Sequence, residues 1–148
     1  MKSSYRLVQP VSTEYAWKLL IPFNYAGVTL TLKPNVNEGR FLELALPGDQ
    51  IWTLRNAVES NNDVIPEEMK RRINPAIDYL AGGIEKGARE VLASALDYPI
   101  EQVTVVVEKT VVDVNHSTFK AFEFATKKAI QNIIEKANAK GLLVISEV

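Results

Sequence analysis

Hydrophobic and polar positions alternate through the first third of the chain, and the period then changes. Tyr5 to Val8 and Glu14 to Ile21 mix aromatic and aliphatic residues between Pro10 and Pro22, which predicts two strands. Val28, Leu30 and Leu32 alternate with Thr29, Thr31 and Lys33, the period-two pattern of a half-buried strand. Pro34-Asn35 and Asn37-Glu38-Gly39 close it with turn chemistry. Phe41 to Leu46 and Ile51 to Val58 predict two more strands around Pro47-Gly48-Asp49, and the polar residues from Glu59 to Asp63 predict a loop.

Helical spacing takes over beyond that loop. Pro66 followed by Glu67 and Glu68 suits a first helical turn, where a missing donor costs nothing and carboxylates complement the dipole. Asn74-Pro75 is a second start signal and predicts a break or kink. Ala76, Leu80, Ile84, Ala88, Val91, Leu92 and Ala95 then fall on one helical stripe. Gly82-Gly83 weakens that helix by roughly 1 kcal/mol per glycine, which implies close packing, expected against a sheet. Tyr98-Pro99 ends the helix. Gln102 to Val114 is a long β-branched run with apolar residues on both faces, the mark of a central strand. Ser117 to Lys140 predicts a second helix, with Phe119, Phe122, Ala125, Ala129, Ile133 and Ala137 on one side and Gly141 as its stop. Leu142 to Ile145 is the last strand. No repeat, low-complexity tract or linker divides residues 1–148, so the expectation is a single α+β domain with strands in one layer and two or three helices over one face.

Composition narrows the class. At 148 residues, 47% hydrophobic and 24% charged, the chain has the make-up of a folded, water-soluble domain able to bury a real core. The absence of cysteine excludes disulfides, thiolate metal sites and cysteine nucleophiles. The N-terminal residues lead into alternating sequence rather than a signal core, and no apolar run approaches a membrane span; the expectation is cytoplasmic, with no membrane partner. The formal net charge is −1, from 9 basic and 8 acidic residues over 1–74 and 8 and 10 over 75–148. Contact with a phosphate backbone would therefore rest on a local patch.

Candidate chemistry is sparse. The glycines of Gly82-Gly83-Ile84-Glu85-Lys86-Gly87 are spaced like a phosphate-binding loop, but Ala88-Arg89 stands where Lys-Ser/Thr must follow, and the segment reads as helix; no nucleotide is expected. His116, the only histidine, lies with Asp113 and Ser117 within five positions. A base, an orienting carboxylate and a nucleophile on one turn do not converge properly, and capping by Asn115 or Ser117 at the helix start explains the pattern better. No catalytic residue, metal ligand or cofactor is expected. Lys70-Arg71-Arg72 follows Glu67-Glu68, and Lys120, Lys127, Lys128 and Lys136 alternate with Glu123 and Glu135; both read first as solvated helix faces and second as RNA-facing ones. Trp17, Phe23 and Tyr25 supply aromatic faces that stack on bases or fill an interface.

Several of these pieces stand in a known order. Asn24-Tyr25-Ala26-Gly27-Val28 running into Lys33-Pro34, Arg55-Asn56-Ala57-Val58, Val64-Ile65-Pro66, Glu85-Lys86-Gly87, the valines from Val103 to Val107, and Ala121-Phe122 with Ala125 and Ala129 are collinear. Together they resemble domain IV of elongation factor G, over about residues 5 to 146, with an additional stretch from Lys70 to Tyr79. The resemblance implies a four-stranded, mostly antiparallel sheet with two main helices on one face and a left-handed βαβ crossover. It also implies a stand-alone tip domain without the GTPase, a non-enzymatic binding module whose partner is the ribosome or another structured RNA. Two neighbouring tip loops carry that contact in the family. The matching positions here are Leu20, Ile21, Phe23, Asn24 and Tyr25 in the first loop, and Lys109, Thr110, Asp113, Asn115 and His116 in the second. The sequence departs from the family at both. Leu20-Ile21-Pro22-Phe23 replaces a glycine-rich Gly-Gly-Arg-Gly, and Lys109 to Asp113 replaces Asp-Gly-Ser-Tyr-His. An apolar tip is also what a protein–protein contact needs. The alternative is therefore an assembly domain that keeps the fold and binds a protein partner or a second copy of itself.

Overall fold

The computed structural model of the chain describes residues 3–20, 23–35, 42–45, 73–112 and 119–147. In chain order the elements are β1 (Ser3–Leu7), β2 (Val11–Leu20), β3 (Phe23–Pro34), β4 (Leu42–Ala45), α1 (Ile73–Ser94), β5 (Val103–Val112), α2 (Phe119–Ala139) and β6 (Leu143–Glu147). The expected strand at 51–58, the loop at 59–63, the helix start at Pro66 and the basic cluster at 70–72 lie outside the described residues.

The architecture is α+β, as the alternation and stripes require. Four strands form one sheet in the order β2-β3-β5-β4, with the β2–β3 and β3–β5 pairs antiparallel and β4–β5 parallel. The parallel pair is joined through α1, a crossover connection. β5 is central, which accounts for apolar residues on both its faces: Val103, Val105 and Val107 are fully buried and Val106 is partly so. The remaining two strands, β1 and β6, form a separate antiparallel pair, from Ser3↔Glu147 to Leu7↔Leu143. A short parallel bridge from Tyr5 to Ile100 links that pair to the segment between α1 and β5.

One continuous core fills the space between sheet and helices. From β3 come Ala26, Val28, Leu30 and Leu32; from α2, Phe122, Ala125, Ala129, Ile130 and Ile133; from α1, Ile84, Ala88, Val91 and Leu92. Pro75 lies in the first turn of α1, where its absent N–H is one the helix leaves unpaired. Gly141 ends α2 as its sequence position predicts. It takes a φ of 69°, and the N–H groups of Gly141 and Leu142 donate to the carbonyls of Asn138 and Ala137 at 3.2 and 2.8 Å, a Schellman termination. Gln102 also lies in the left-handed region, at φ 56°, so β5 starts one residue later than its composition suggests.

The glycines of α1 have a different partner from the expected sheet. A Cβ on Gly83 would stand 2.4 Å from the carbonyl oxygen of Phe119, and one on Gly87 would stand 2.5 Å from that of Glu123. Both glycines therefore lie against the backbone of α2, and α1 packs on a helix at close range. Spacing four apart places both on one face of α1, and their missing side chains let the two backbones touch.

Candidate functional site

The expected tip is built by β2 and β3. Their pairing runs unbroken from Val11↔Leu32 to Leu20↔Phe23, leaving Ile21 and Pro22, which lie outside the described residues, as a two-residue connection. Strand pairing therefore extends through most of what the sequence suggests is a loop. Among the described residues β5 pairs with β3 as far as Val112↔Ala26. The pairs Lys18↔Tyr25, Leu19↔Asn24 and Leu20↔Phe23 lie beyond that point. At about 3.3 Å per residue, the described hairpin runs on some 10 Å past Val112, the last described residue of β5, as a two-stranded ribbon.

Four candidate residues, Leu20, Phe23, Asn24 and Tyr25, thus come together on this ribbon. The C-terminal end of β5 stands beside its base, where Val112 pairs with Ala26. Asp113, Asn115 and His116, which follow β5 in sequence, lie outside the described residues, as does Ile21. Lys109 and Thr110 are strand residues, facing Thr29 and Val28 across the β3–β5 ladder. Glu108 is the extra residue of a bulge there, since Thr29 pairs with Lys109 and Leu30 with Val107. Bulges bend a strand and re-aim its side chains. Glu108 and Lys109 are both exposed, whereas Thr110 is only 6% exposed.

The charges on the helices are largely engaged with one another. Lys127 of α2 reaches Glu90 of α1 at 2.7 Å and Glu123 at 3.4 Å, and Lys86 lies 3.6 Å from Glu123. The hydrogen bond from Lys127 holds the Glu90 carboxyl below its ordinary range, and the same bond raises the Lys127 ammonium. Arg89 pairs with Glu85 at 3.0 Å, and the Lys136 ammonium donates to the Ser12 carbonyl at 3.3 Å. Lys120 and Lys128 make no ion pair among the described residues. Sequence spacing signals the pairs within each helix; the cross-helix pair Lys127–Glu90 required knowledge of which faces meet.

Elsewhere, the Tyr5 hydroxyl donates to Asp97 at 2.7 Å, which raises the phenol above its ordinary value. An open groove of about 500 Å³ lies between Gln9–Ser12 and the C-terminal end of α2, lined by Lys136 and Lys140. These lysines complement the negative end of the helix. Among the described residues no cluster of three or more His, Asp or Glu could hold a metal, and no helix is long and apolar enough to cross a membrane.

No family model matches the sequence, and no curated protein matches it. The fold does have a counterpart among solved structures. A protein of Thermus thermophilus is similar over 97% of this chain, with a TM-score of 0.63 and 16% sequence identity. The chain spans 18% of that protein's length, so the shared architecture is there one part of a much longer chain. At this identity the likeness establishes the fold, a mixed α+β arrangement that also occurs as a segment of a larger protein.

Proposed function

We propose that the chain is a non-enzymatic binding module of the elongation factor G domain IV type, and that it engages structured RNA, ribosomal RNA foremost, through the hairpin end of its sheet. The observation that carries this reading is the register. The Val112↔Ala26 pair lies at the base of the hairpin that closes at Leu20↔Phe23, which supports the two cooperating tip segments the resemblance implies. A narrow two-stranded projection reaches into RNA loops, where Phe23 and Tyr25 stack on splayed bases and Asn24 hydrogen-bonds to their edges. The fold likeness to part of a much longer protein fits an architecture that also serves as one domain among several. In this reading the module is cytoplasmic and requires no nucleotide, metal or cofactor.

A second reading is a protein–protein contact through the same ribbon. The uninterrupted apolar run of Leu19, Leu20 and Ile21 with Phe23, and the net charge of −1, favour it. Co-sedimentation with small-subunit ribosomal RNA at low and at high salt separates the two. Salt-sensitive association with RNA supports the first reading. Absence of RNA association, with a salt-insensitive contact to protein, removes it in favour of the second.

A further inference from the structure

The cations of the two helices fall into two sets. Where α1 meets α2, Lys86, Arg89 and Lys127 each hold a carboxylate of Glu85, Glu90 or Glu123 within 4.0 Å. On the side of α2 beside β2, Lys128, Lys136 and Lys140 are exposed and make no ion pair among the described residues. With Asn132 between them they stand four or eight positions apart, which sets them on one ridge of the helix. Lys140, one residue past α2, keeps the helical spacing through its N–H bond to the Lys136 carbonyl at 3.1 Å. At 1.5 Å per residue, Lys128 and Lys136 lie about 12 Å apart along the axis, and Lys136 and Lys140 about 6 Å.

The ridge follows β2, the outer strand of the four-stranded sheet. Asn132 accepts from the Thr13 hydroxyl at 3.1 Å, and the Lys136 ammonium donates to the Ser12 carbonyl at 3.3 Å. α2 thus runs opposite to β2, and the ridge leads from the groove at Gln9–Ser12 toward the hairpin end. The other residues lining that groove, Gln9, Pro10, Val11, Ser12 and Leu142, include no acid. Of the two carboxylates on α2, Glu123 is taken up by Lys86 and Lys127, and Glu135 lies about 100° round the helix from Lys136. Helix capping does not account for the ridge. The carbonyls of Lys136, Ala137 and Asn138 already accept from the N–H groups of Lys140, Leu142 and Gly141, and Lys128 lies turns away from the helix end.

We propose that this lysine ridge and the groove it ends in form a track for a nucleic-acid backbone, with Lys128, Lys136 and Lys140 each meeting a phosphate. The inference rests on the RNA reading above and adds to it a second contact that positions the strand without reading its bases. A chain of net charge −1 needs a local cationic surface to hold a phosphate backbone, and the neutralised charges between α1 and α2 do not supply it. The ten residues of β2, about 30 Å of strand, separate the groove from the hairpin tip, so the two contacts hold one RNA at separate points.

The test is sedimentation of the full chain with small-subunit ribosomal RNA across a range of salt. Lys136→Ala/Lys140→Ala is compared with Lys86→Ala/Arg89→Ala, which makes the same change in net charge at residues already paired with carboxylates. The ridge variant is expected to keep its circular dichroism spectrum and to lower the magnitude of the log–log slope by about two contacts' worth, with association at low salt reduced on the order of tenfold or more. The control variant is expected to keep the wild-type slope. Lys128→Ala, at a side chain with no hydrogen bond or ion pair among the described residues, is expected to lower the slope by about one contact's worth. Poly-glutamate of matched charge is expected to displace little of the RNA. Wild-type slopes in both ridge variants would overturn the track and leave the hairpin contact standing. Equal slope losses in the ridge and control variants would overturn it as an effect of net charge alone. Displacement by poly-glutamate on equal terms would give the ridge to an acidic protein instead. A wild type that never associates with the RNA would remove the track together with the RNA reading.

Discussion

Replacing Gly87 by alanine tests the packing of α1 against the backbone of α2. The added Cβ would stand 2.5 Å from the Glu123 carbonyl oxygen and 3.2 Å from Cβ of Thr126. An unstrained carbon–oxygen contact needs roughly 0.8 Å more than the shorter of these, and neither atom can swing away because both are fixed by the backbone of α2. The helices must separate, and the core between them loosens. Overpacking of this kind costs about 1–3 kcal/mol, against which alanine's better helix propensity returns about 1 kcal/mol. With the upper part of that range appropriate for a backbone clash, the net loss is about 1–2 kcal/mol, or about 3–8 °C in Tm for a domain of this size. Gly82 is the internal control. Its Cβ would meet the Phe119 ring at 3.2 Å, a side chain able to give way, so Gly82→Ala keeps most of the propensity gain. Urea unfolding of the two variants beside the wild type is the assay, read as a shift in midpoint at constant slope. If Gly87→Ala is as stable as Gly82→Ala, the packing of α1 on α2 at backbone range is wrong.

Three further outcomes follow from the same structure. The buried Thr126 hydroxyl has no hydrogen-bond partner among the described residues, so Thr126→Val should leave the protein as stable or raise its stability by about 1 kcal/mol in urea unfolding, where a destabilised variant would show the hydroxyl to be satisfied. The Glu90 carboxyl is held below its usual 4.5 in the folded state, so its contribution is present above that pH and is lost as pH falls through the lower folded value; a plot of thermal midpoint against acid pH should be shallower for Glu90→Gln than for wild type. A midpoint unchanged by GTP with Mg²⁺ is expected for a module that needs no nucleotide, and a rise of several degrees would mean native-state binding.

Much of this fold was legible because burial imposes a period. Val28, Leu30 and Leu32 alternate since one face of β3 meets α2 and the other does not, and the α2 stripe from Phe122 to Ala137 follows from the same asymmetry. Gly141 was readable for a local reason, the left-handed φ that glycine adopts without strain. What stayed hidden were pairings between distant residues. The helical period puts Gly83 and Gly87 on one face but does not say whether that face meets a sheet or α2. Alternation marks β1 and β6 as strands, yet their union in a separate sheet depends on contacts some 140 residues apart in sequence. The hairpin was obscured by Pro22, whose turn signal suggests a long loop, and by the consecutive apolar residues Leu19 to Ile21, which have no period of two. Within the candidate site the sequence indicated two segments; that Lys109 and Thr110 of the second are strand residues paired with Thr29 and Val28 came from the β3–β5 register.

The measurement that bears most directly on the proposed function is the salt dependence of binding to small-subunit ribosomal RNA, made by sedimentation with the folded wild-type chain. Binding through the hairpin end should be detectable at low salt and should weaken with a log–log slope of about −0.7 to −0.9 per phosphate contacted. Lys109→Ala, which removes the exposed cation beside the β5 bulge, should lower the magnitude of that slope by about one contact's worth without unfolding the domain. A folded chain that fails to sediment with the RNA at the lowest salt, or whose association is the same at every salt concentration, would contradict an RNA-binding role.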